Sequence, residues 1–227
     1  RFKGNMKAFL LAAGRGKRLK PLTDEIPKPL IDISGKPLIQ YKLEALKEIG
    51  VRDVVINISY MKERFHEQYL NWKSLGMNIE LSYEEDLLGT GGGIGKVIDF
   101  FNDQDFIVCS SDVWTEYDLN NLHLSKPFLG HLVLVNNSDL NPEGDVSLVK
   151  DVVYPKVEGD SYSFSGIALL NPVLFKEVEE KSYDLWKRVL KPAVLDGKIS
   201  GEVFEGSHIN INTIDDLQKI DGYTHEE

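Results

Sequence analysis

The chain has 227 residues, of which 42% are hydrophobic and 27% charged, with a formal net charge of −10; it is large enough to bury a full core as a soluble globular domain. The acidity argues against nucleic acid or an anionic membrane as a partner, so the positive field for any anionic ligand has to be local. No apolar stretch approaches the ~20 residues of a membrane span. The single cysteine, Cys109, excludes an internal disulfide and fits a reducing, cytoplasmic compartment. Residues 1–5 read as a remnant ahead of a natural start at Met6, with no signal peptide, and 6–227 is expected to form one domain.

The first element is the apolar run Phe9-Leu10-Leu11-Ala12-Ala13, a buried strand that breaks into small residues and two glycines, Gly14 and Gly16. Backbone N–H groups in such a turn can converge on an anion. Arg15, Lys17 and Arg18 sit on the turn, and Lys28 stands between Pro27 and Pro29, which restrict its backbone. Together these residues suggest a polyphosphate site. The string is not a P-loop, which needs Gly-x-x-x-x-Gly-Lys-Ser/Thr, and a dinucleotide fingerprint needs a third glycine where Leu19 stands.

Pro37 then opens a helix carrying Leu38, Tyr41, Leu43 and Leu46, ended by Gly50. Residues 53–57 read as the second strand, 61–70 as a polar-faced helix and 79–83 as the third strand. Gly89-Thr90-Gly91-Gly92-Gly93 reads as a tight turn into a helix through Val97 and Phe101. The strand at 106–109 is ended by Ser110-Ser111-Asp112. Ligands of open α/β sheets bind beyond the carboxyl ends of strands, which places Asp112 in the crevice of the first loop. A fifth strand follows at 131–135, and 136–160 is a loop or hairpin excursion with weak strands at 146–149 and 152–154. The chain returns to the sheet at 164–170, forms helices near 173–180 and 184–195 and strands at 199–204 and 208–211, and ends in a helix from Thr213. Strands alternating with amphipathic helices predict an α/β fold, a three-layer α/β/α sandwich of Rossmann-like type with a mainly parallel mixed sheet. There is no repeat, low-complexity tract or linker.

Taken whole, the first stretch resembles the signature of the sugar-1-phosphate nucleotidyltransferases: Leu-Ala-Ala-Gly-x-Gly-x-Arg at 11–18, Pro-Leu-Thr at 21–23 and Pro-Lys-Pro-Leu at 27–30. Leu87-Leu88-Gly89-Thr90-Gly91-Gly92 resembles the family segment that lines the nucleobase pocket, and Asp112 stands where the family has a metal-binding aspartate. Trp114, Gly144-Asp145, Phe164-Ser165-Gly166-Ile167 and Gly197-Lys198-Ile199-Ser200-Gly201-Glu202 resemble the members that act on N-acetylmuramate α-1-phosphate in peptidoglycan recycling. By the same resemblance the chain is expected to stop where they stop, without a left-handed helical acyltransferase domain. One departure stands out. Those members end their core with Trp-Val-Asp-Val-Gly-Thr, whose aspartate is the second protein ligand to the metal, whereas this chain has His208-Ile209-Asn210-Ile211-Asn212-Thr213. Asn210 keeps a carbonyl oxygen but gives up one negative charge. Asn212 stands in for a glycine, and asparagine tolerates left-handed backbone better than most residues.

The resemblance implies a nucleotide-diphospho-sugar transferase fold and an enzyme that transfers UMP from UTP to a sugar 1-phosphate, releasing pyrophosphate. It implies that the backbone of Leu11, Ala12, Ala13, Gly14 and Gly16, with Lys17 and Arg18, holds the triphosphate, and that Gly89, Thr90 and Gly91 pack on the base. Arg18, Lys28 and Asp112 are the expected catalytic residues. Trp114, Asp145, Gly166 and Glu202 are the acceptor-side candidates, and Mg²⁺ is expected on Asp112 with Asn210. UTP and the sugar 1-phosphate are then the partners, and the chain is expected to be a monomer or weak homo-oligomer. Two alternatives stand beside this reading. One is the same chemistry with another base or sugar, as in thymidylyl-, cytidylyl- or guanylyltransferases; the other is a nucleotide-binding homologue whose catalysis is impaired by Asn210. A glycosyltransferase is disfavoured because Asp112-Val113-Trp114 lacks the second acid of an Asp-x-Asp motif.

Overall fold

The computed structural model describes residues 5–139 and 141–224. In chain order the elements are β1 (Lys7–Leu11), β2 (Asp32–Ile33), β3 (Lys36–Pro37), α1 (Leu38–Glu48), β4 (Asp53–Ile58), α2 (Lys62–Trp72), β5 (Asn78–Tyr83), α3 (Gly89–Gly95), β6 (Phe106–Ser110) and β7 (Val113–Thr115). They continue with β8 (Gly130–Val135), β9 (Val146–Val149), β10 (Val152–Pro155), β11 (Ser163–Leu170), α4 (Lys191–Leu195), β12 (Ile199–Phe204), β13 (His208–Asn210) and α5 (Ile214–Thr224). The fold is α/β and Rossmann-like, with nine strands in a mixed sheet among the described residues. No helix among the described residues is long and apolar enough to cross a membrane. The chain divides into two compact units, one from residues up to 87 with 109–119 and 207 onward, the other from 88–108 and 120–206.

In the first unit β5, β4 and β1 run parallel, with Leu11 level with Asn57 and Asn57 level with Ser82. Ala8, Phe9, Leu10 and the run Val54, Val55, Ile56 have no exposed surface, as parallel strands covered on both faces require. Helix α1 starts after Pro37, whose fixed φ suits a helix entry, and the chain turns out of it at Gly50 with φ +96°. Its inner face buries Leu38, Ile39, Leu43 and Leu46, each contributing about 1.5–3 kcal/mol of apolar burial. Helix α2 runs past the expected end at 70, because Trp72 is fully buried. β7 and β13 form an antiparallel ribbon in which Asn210 lies opposite Val113. Helix α5 begins with a reciprocal cap: Thr213 N–H donates to Asp216 Oδ2 at 2.8 Å, and Asp216 N–H donates to Thr213 Oγ1 at 3.2 Å.

In the second unit the strand order is β11-β8-β12-β10-β9. β8 and β12 are parallel, whereas β11–β8, β12–β10 and the β10–β9 hairpin are antiparallel. The register of β11 shifts between Phe164 and Ala168, where Gly166 has φ +83°. Two sequence expectations are corrected here. The glycine stretch from Gly89 is the helix α3 itself rather than a turn before one, and the chain beyond it forms only a 3₁₀ turn at Ile98–Phe101. The helix expected near 173–180 is a single 3₁₀ turn, Pro172–Phe175, capped by Asn171. Glu177 and Glu180 would stack like charges at i,i+3 were it to continue.

Candidate active site

The first unit gathers the polyphosphate candidates. Gly16 leaves the loop with φ +58°, and a Cβ there would lie 3.1 Å from Lys28 Cβ and 3.0 Å from Thr23 Cγ2. Only glycine meets both demands, the left-handed backbone and the close approach of the lysine stem. Thr23 Oγ1 donates to Gly16 carbonyl at 3.0 Å, and Leu19 N–H donates to the same oxygen at 2.9 Å, which pins the far end of the loop. Gly14, Arg15, Lys17 and Arg18 lie exposed around it.

Lys28 opens a 3₁₀ turn and is buried with its two prolines. Its Nζ donates to Asp112 Oδ2 at 2.9 Å; the lysine side chain is 8% exposed and the aspartate 41%. Asp112 follows β6, and its carbonyl accepts from Ile211 N–H at 3.0 Å, which brings the Asn210 segment beside it. Asn210 is exposed. Asn212 does not have the left-handed backbone anticipated for it: its φ is not positive, and its Nδ2 donates to the Asn210 carbonyl at 3.1 Å. Asp112 and Asn210 each carry an oxygen donor of the kind a hard cation takes, with phosphate oxygens and water completing its shell. Among the described residues no group of three or more His, Cys, Asp and Glu is placed to hold a metal ion, so such a cation would depend on its ligands for the rest. Trp114 packs with Ile209 on a core cluster of Leu19, Ile31, Ile33, Leu38, Ile211 and Ile220.

Buried titratable groups that no sequence motif marks lie in the same unit. Lys42 of α1 is 6% exposed, and burial pushes its ammonium below the ordinary lysine range, opposed by Cys109 and Asp112. Burial pushes the Cys109 thiol up to about 11. His208 is pushed down to about 4, first by burial and then by the Lys42 charge, and its buried Nδ1 has no hydrogen-bond partner. Asn57 and Glu84, each 2% exposed, and Ser111, 1% exposed, also sit at strand ends. The signal for Asn57 was a lone amide closing the apolar run of β4.

In the second unit the remaining candidates fall into separate places. Gly91 and Gly92 donate their N–H groups to the Tyr183 carbonyl at 3.0 and 3.1 Å. A Cβ on Gly89, whose φ is +74°, would lie 2.5 Å from that same carbonyl oxygen, and one on Gly91 would strike the Tyr183 ring. The glycines of α3 are therefore required by the segment crossing it. Thr90 Oγ1 accepts from Leu185 N–H at 2.9 Å. Asp145 uses its carboxylate inside the fold, accepting from Phe164 N–H at 2.8 Å and Asn141 Nδ2 at 3.1 Å. Glu202 Oε1 lies 3.4 Å from His131 Nε2, and His131 Nδ1 is 2.9 Å from Ser200 Oγ. Burial pushes the His131 imidazole below its usual range against the opposing pull of Glu202. Gly166 sits at the β11 irregularity, away from Asp145 in role though on a neighbouring stretch.

Residues 7–126 match the family model described as nucleotidyl transferase. Over 217 residues the chain is 36% identical to the N-acetylmuramate alpha-1-phosphate uridylyltransferase of Neisseria meningitidis, across 92% of this chain and 94% of that protein. Over 220 residues it is 32% identical to the mannose-1-phosphate guanyltransferase of Schizosaccharomyces pombe, across 91% of this chain but 61% of that one. The crystal structure of HddC from Yersinia pseudotuberculosis complexed with GMP-PN superposes with a TM-score of 0.80 at 23% identity, covering 96% of this chain and 99% of HddC. That last likeness is one of fold.

Proposed function

The chain belongs to the nucleotidyl transferase family and is a sugar-1-phosphate nucleotidyltransferase, and from that premise we propose that it transfers UMP from UTP to N-acetylmuramate α-1-phosphate. A phosphate oxygen of the sugar 1-phosphate attacks the α-phosphorus of UTP, the bond from that phosphorus to the β-phosphate bridge breaks, and pyrophosphate leaves. Such a transfer needs positioning and charge neutralisation more than a covalent catalyst.

The observation that carries the reading is the Lys28–Asp112 pair at 2.9 Å beneath the Gly14–Gly16 loop. Amides of Ala13, Gly14 and Gly16, with Lys17 and Arg18, hold the triphosphate; Leu11 and Ala12 set the direction of the loop. Lys28 neutralises charge growing on the transferred phosphoryl group, and Asp112 keeps the ammonium in place. Mg²⁺ would be held by Asp112 and Asn210, and its chemistry is to screen the phosphate charges. The exposed Gly89 and Thr90 are the residues offered to the base, while Gly91 is buried against Tyr183. The resemblance assigns Trp114, Asp145, Gly166 and Glu202 to the acceptor; of these Asp145 already holds the Phe164 N–H with its carboxylate. Residues 6–227 act as one nucleotidyltransferase domain in the cytoplasm, as a monomer or weak homo-oligomer, without nucleic acid and in peptidoglycan recycling.

The similarity to the Neisseria protein supports the base and the sugar, and the guanyltransferase similarity is the reason to test them against others. Pyrophosphate release is measured with UTP, dTTP, CTP and GTP, each against N-acetylmuramate α-1-phosphate and glucose 1-phosphate. The expected outcome is a preference above about tenfold, some 1.4 kcal/mol, for UTP with the muramate. The same preference for another pair overturns the assignment. Triphosphate-dependent thermal stabilisation without pyrophosphate release from any pair marks the impaired binding protein instead.

A further inference from the structure

The Leu11–Ala12 peptide unit is gripped at both ends. Its carbonyl oxygen accepts from Ser111 N–H at 3.1 Å and from Ser111 Oγ. Its N–H donates to Asn57 Oδ1 at 2.7 Å. Asn57 in turn donates from Nδ2 to Glu84 Oε1 at 2.8 Å, and Glu84 N–H donates to the Ile58 carbonyl at 2.7 Å. Asn57 and Glu84 are each 2% exposed, so the row lies out of water at the carboxyl ends of three parallel strands. A peptide unit is planar, and holding both its oxygen and its hydrogen fixes the plane. Fixing that plane fixes the direction in which residues 13–16 leave β1.

An amide side chain presents an acceptor at one end and donors at the other, and either end could face Ala12. Glu84 decides which. Its acceptor oxygen takes a hydrogen from Nδ2, so Oδ1 is the end turned to the loop. We propose that Asn57, oriented by Glu84 and opposed by Ser111, is the positioning residue that clamps the Leu11–Ala12 peptide and thereby aims the amides of residues 13–16 at the anionic ligand. This inference rests on the reading of that loop as a triphosphate cradle. It also makes the Ala12 amide a structural donor that does not touch phosphate.

The test reads the ligand-free protein first and UTP affinity second. Asn57→Ala leaves the Ala12 N–H buried without an acceptor. Amide exchange at Ala12 should accelerate by about tenfold or more while α1 is unchanged, and calorimetric UTP affinity per folded molecule should fall about tenfold. Asn57→Asp sets two carboxylates against each other and should do the same or worse. Adding Glu84→Gln to Asn57→Asp restores the pattern: the introduced amide donates to the introduced carboxylate, which accepts from the Ala12 N–H. The Asn57→Asp/Glu84→Gln pair should bring exchange and affinity back to within about threefold of the wild type, at the scale of one restored hydrogen bond. A residue that only supports the fold would lower the melting temperature without this reciprocal rescue. Should Asn57→Ala fail to fold, Asn57→Ser, a shorter acceptor, is read in the same two assays. Unchanged Ala12 exchange in a folded Asn57 variant, or a double variant no better than Asn57→Asp, overturns the proposal. If the wild type binds no UTP, the functional reading fails, and the exchange measurements still decide the clamp.

Discussion

With its side chain 8% exposed and its Nζ 2.9 Å from Asp112 Oδ2, Lys28 keeps an ammonium where water screens it weakly. A charge held in place before the reaction costs no reorganisation at the transition state. Lys28→Ala should therefore lower kcat by about 10²–10³, the scale for losing one such donor. Turnover unchanged per folded molecule would make the lysine structural. Asn210 sets the second test at this scale. Asn210→Asp adds a unit charge within ~4 Å of the proposed cation, a gross attraction of about 4 kcal/mol at an effective dielectric of ~20. Most of it is offset by desolvation of the new carboxylate, leaving about 1–2 kcal/mol, or roughly tenfold. The Mg²⁺ titration of turnover should move to lower concentration by that factor; a titration that stays put removes Asn210 from the metal's shell. Lys28 and Asp112 were legible because a motif and a strand end marked them. Lys42, Asn57 and Glu84 were not, because a charged or amide residue in a helix or strand reads as solvated until the tertiary packing buries it.

Among the elements, the strands and α1 followed from apolar runs and their punctuation. Helix α3 did not. Its sequence, Gly89-Thr90-Gly91-Gly92-Gly93-Ile94-Gly95, is mostly glycine and runs against helix propensity, and the reason lies in a segment far along the chain, at Tyr183. Gly91→Ala should destabilise the fold by about 1–3 kcal/mol through overpacking against that ring, seen as a lower denaturant midpoint; an unchanged midpoint would contradict the packing. The β7–β13 ribbon carries a pH dependence. His208 has a folded pKa of about 4 against an ordinary 6.5, so between those values the unfolded chain binds the extra proton. The stability this represents is complete above pH 6.5 and is lost as the pH falls toward 4, by up to about 3 kcal/mol. Unfolding free energies at several pH values, wild type against His208→Asn, should show a shallower acid slope in the variant. Equal slopes would mean that His208 is not held neutral.

For the whole molecule, a net charge of −10 and the proposed polyanion site are compatible because Arg15, Lys17, Arg18, Lys20 and Lys28 make the field positive locally. The α/β class and a mixed sheet were readable from the alternation of elements, while which strands pair antiparallel, β11 with β8 and β10 with β12, was not, since strand direction depends on partners the local pattern does not name. In the proposed transfer a sugar phosphate oxygen attacks the α-phosphorus of the nucleotide. It is tested most directly by running the reaction with a sugar 1-phosphate labelled with ¹⁸O in its non-bridging oxygens, and weighing both products. Such an attack leaves all of the label on the sugar-side phosphorus of the UDP-sugar, with none in pyrophosphate. Label in pyrophosphate, or UDP released with a sugar diphosphate in place of pyrophosphate, would contradict it.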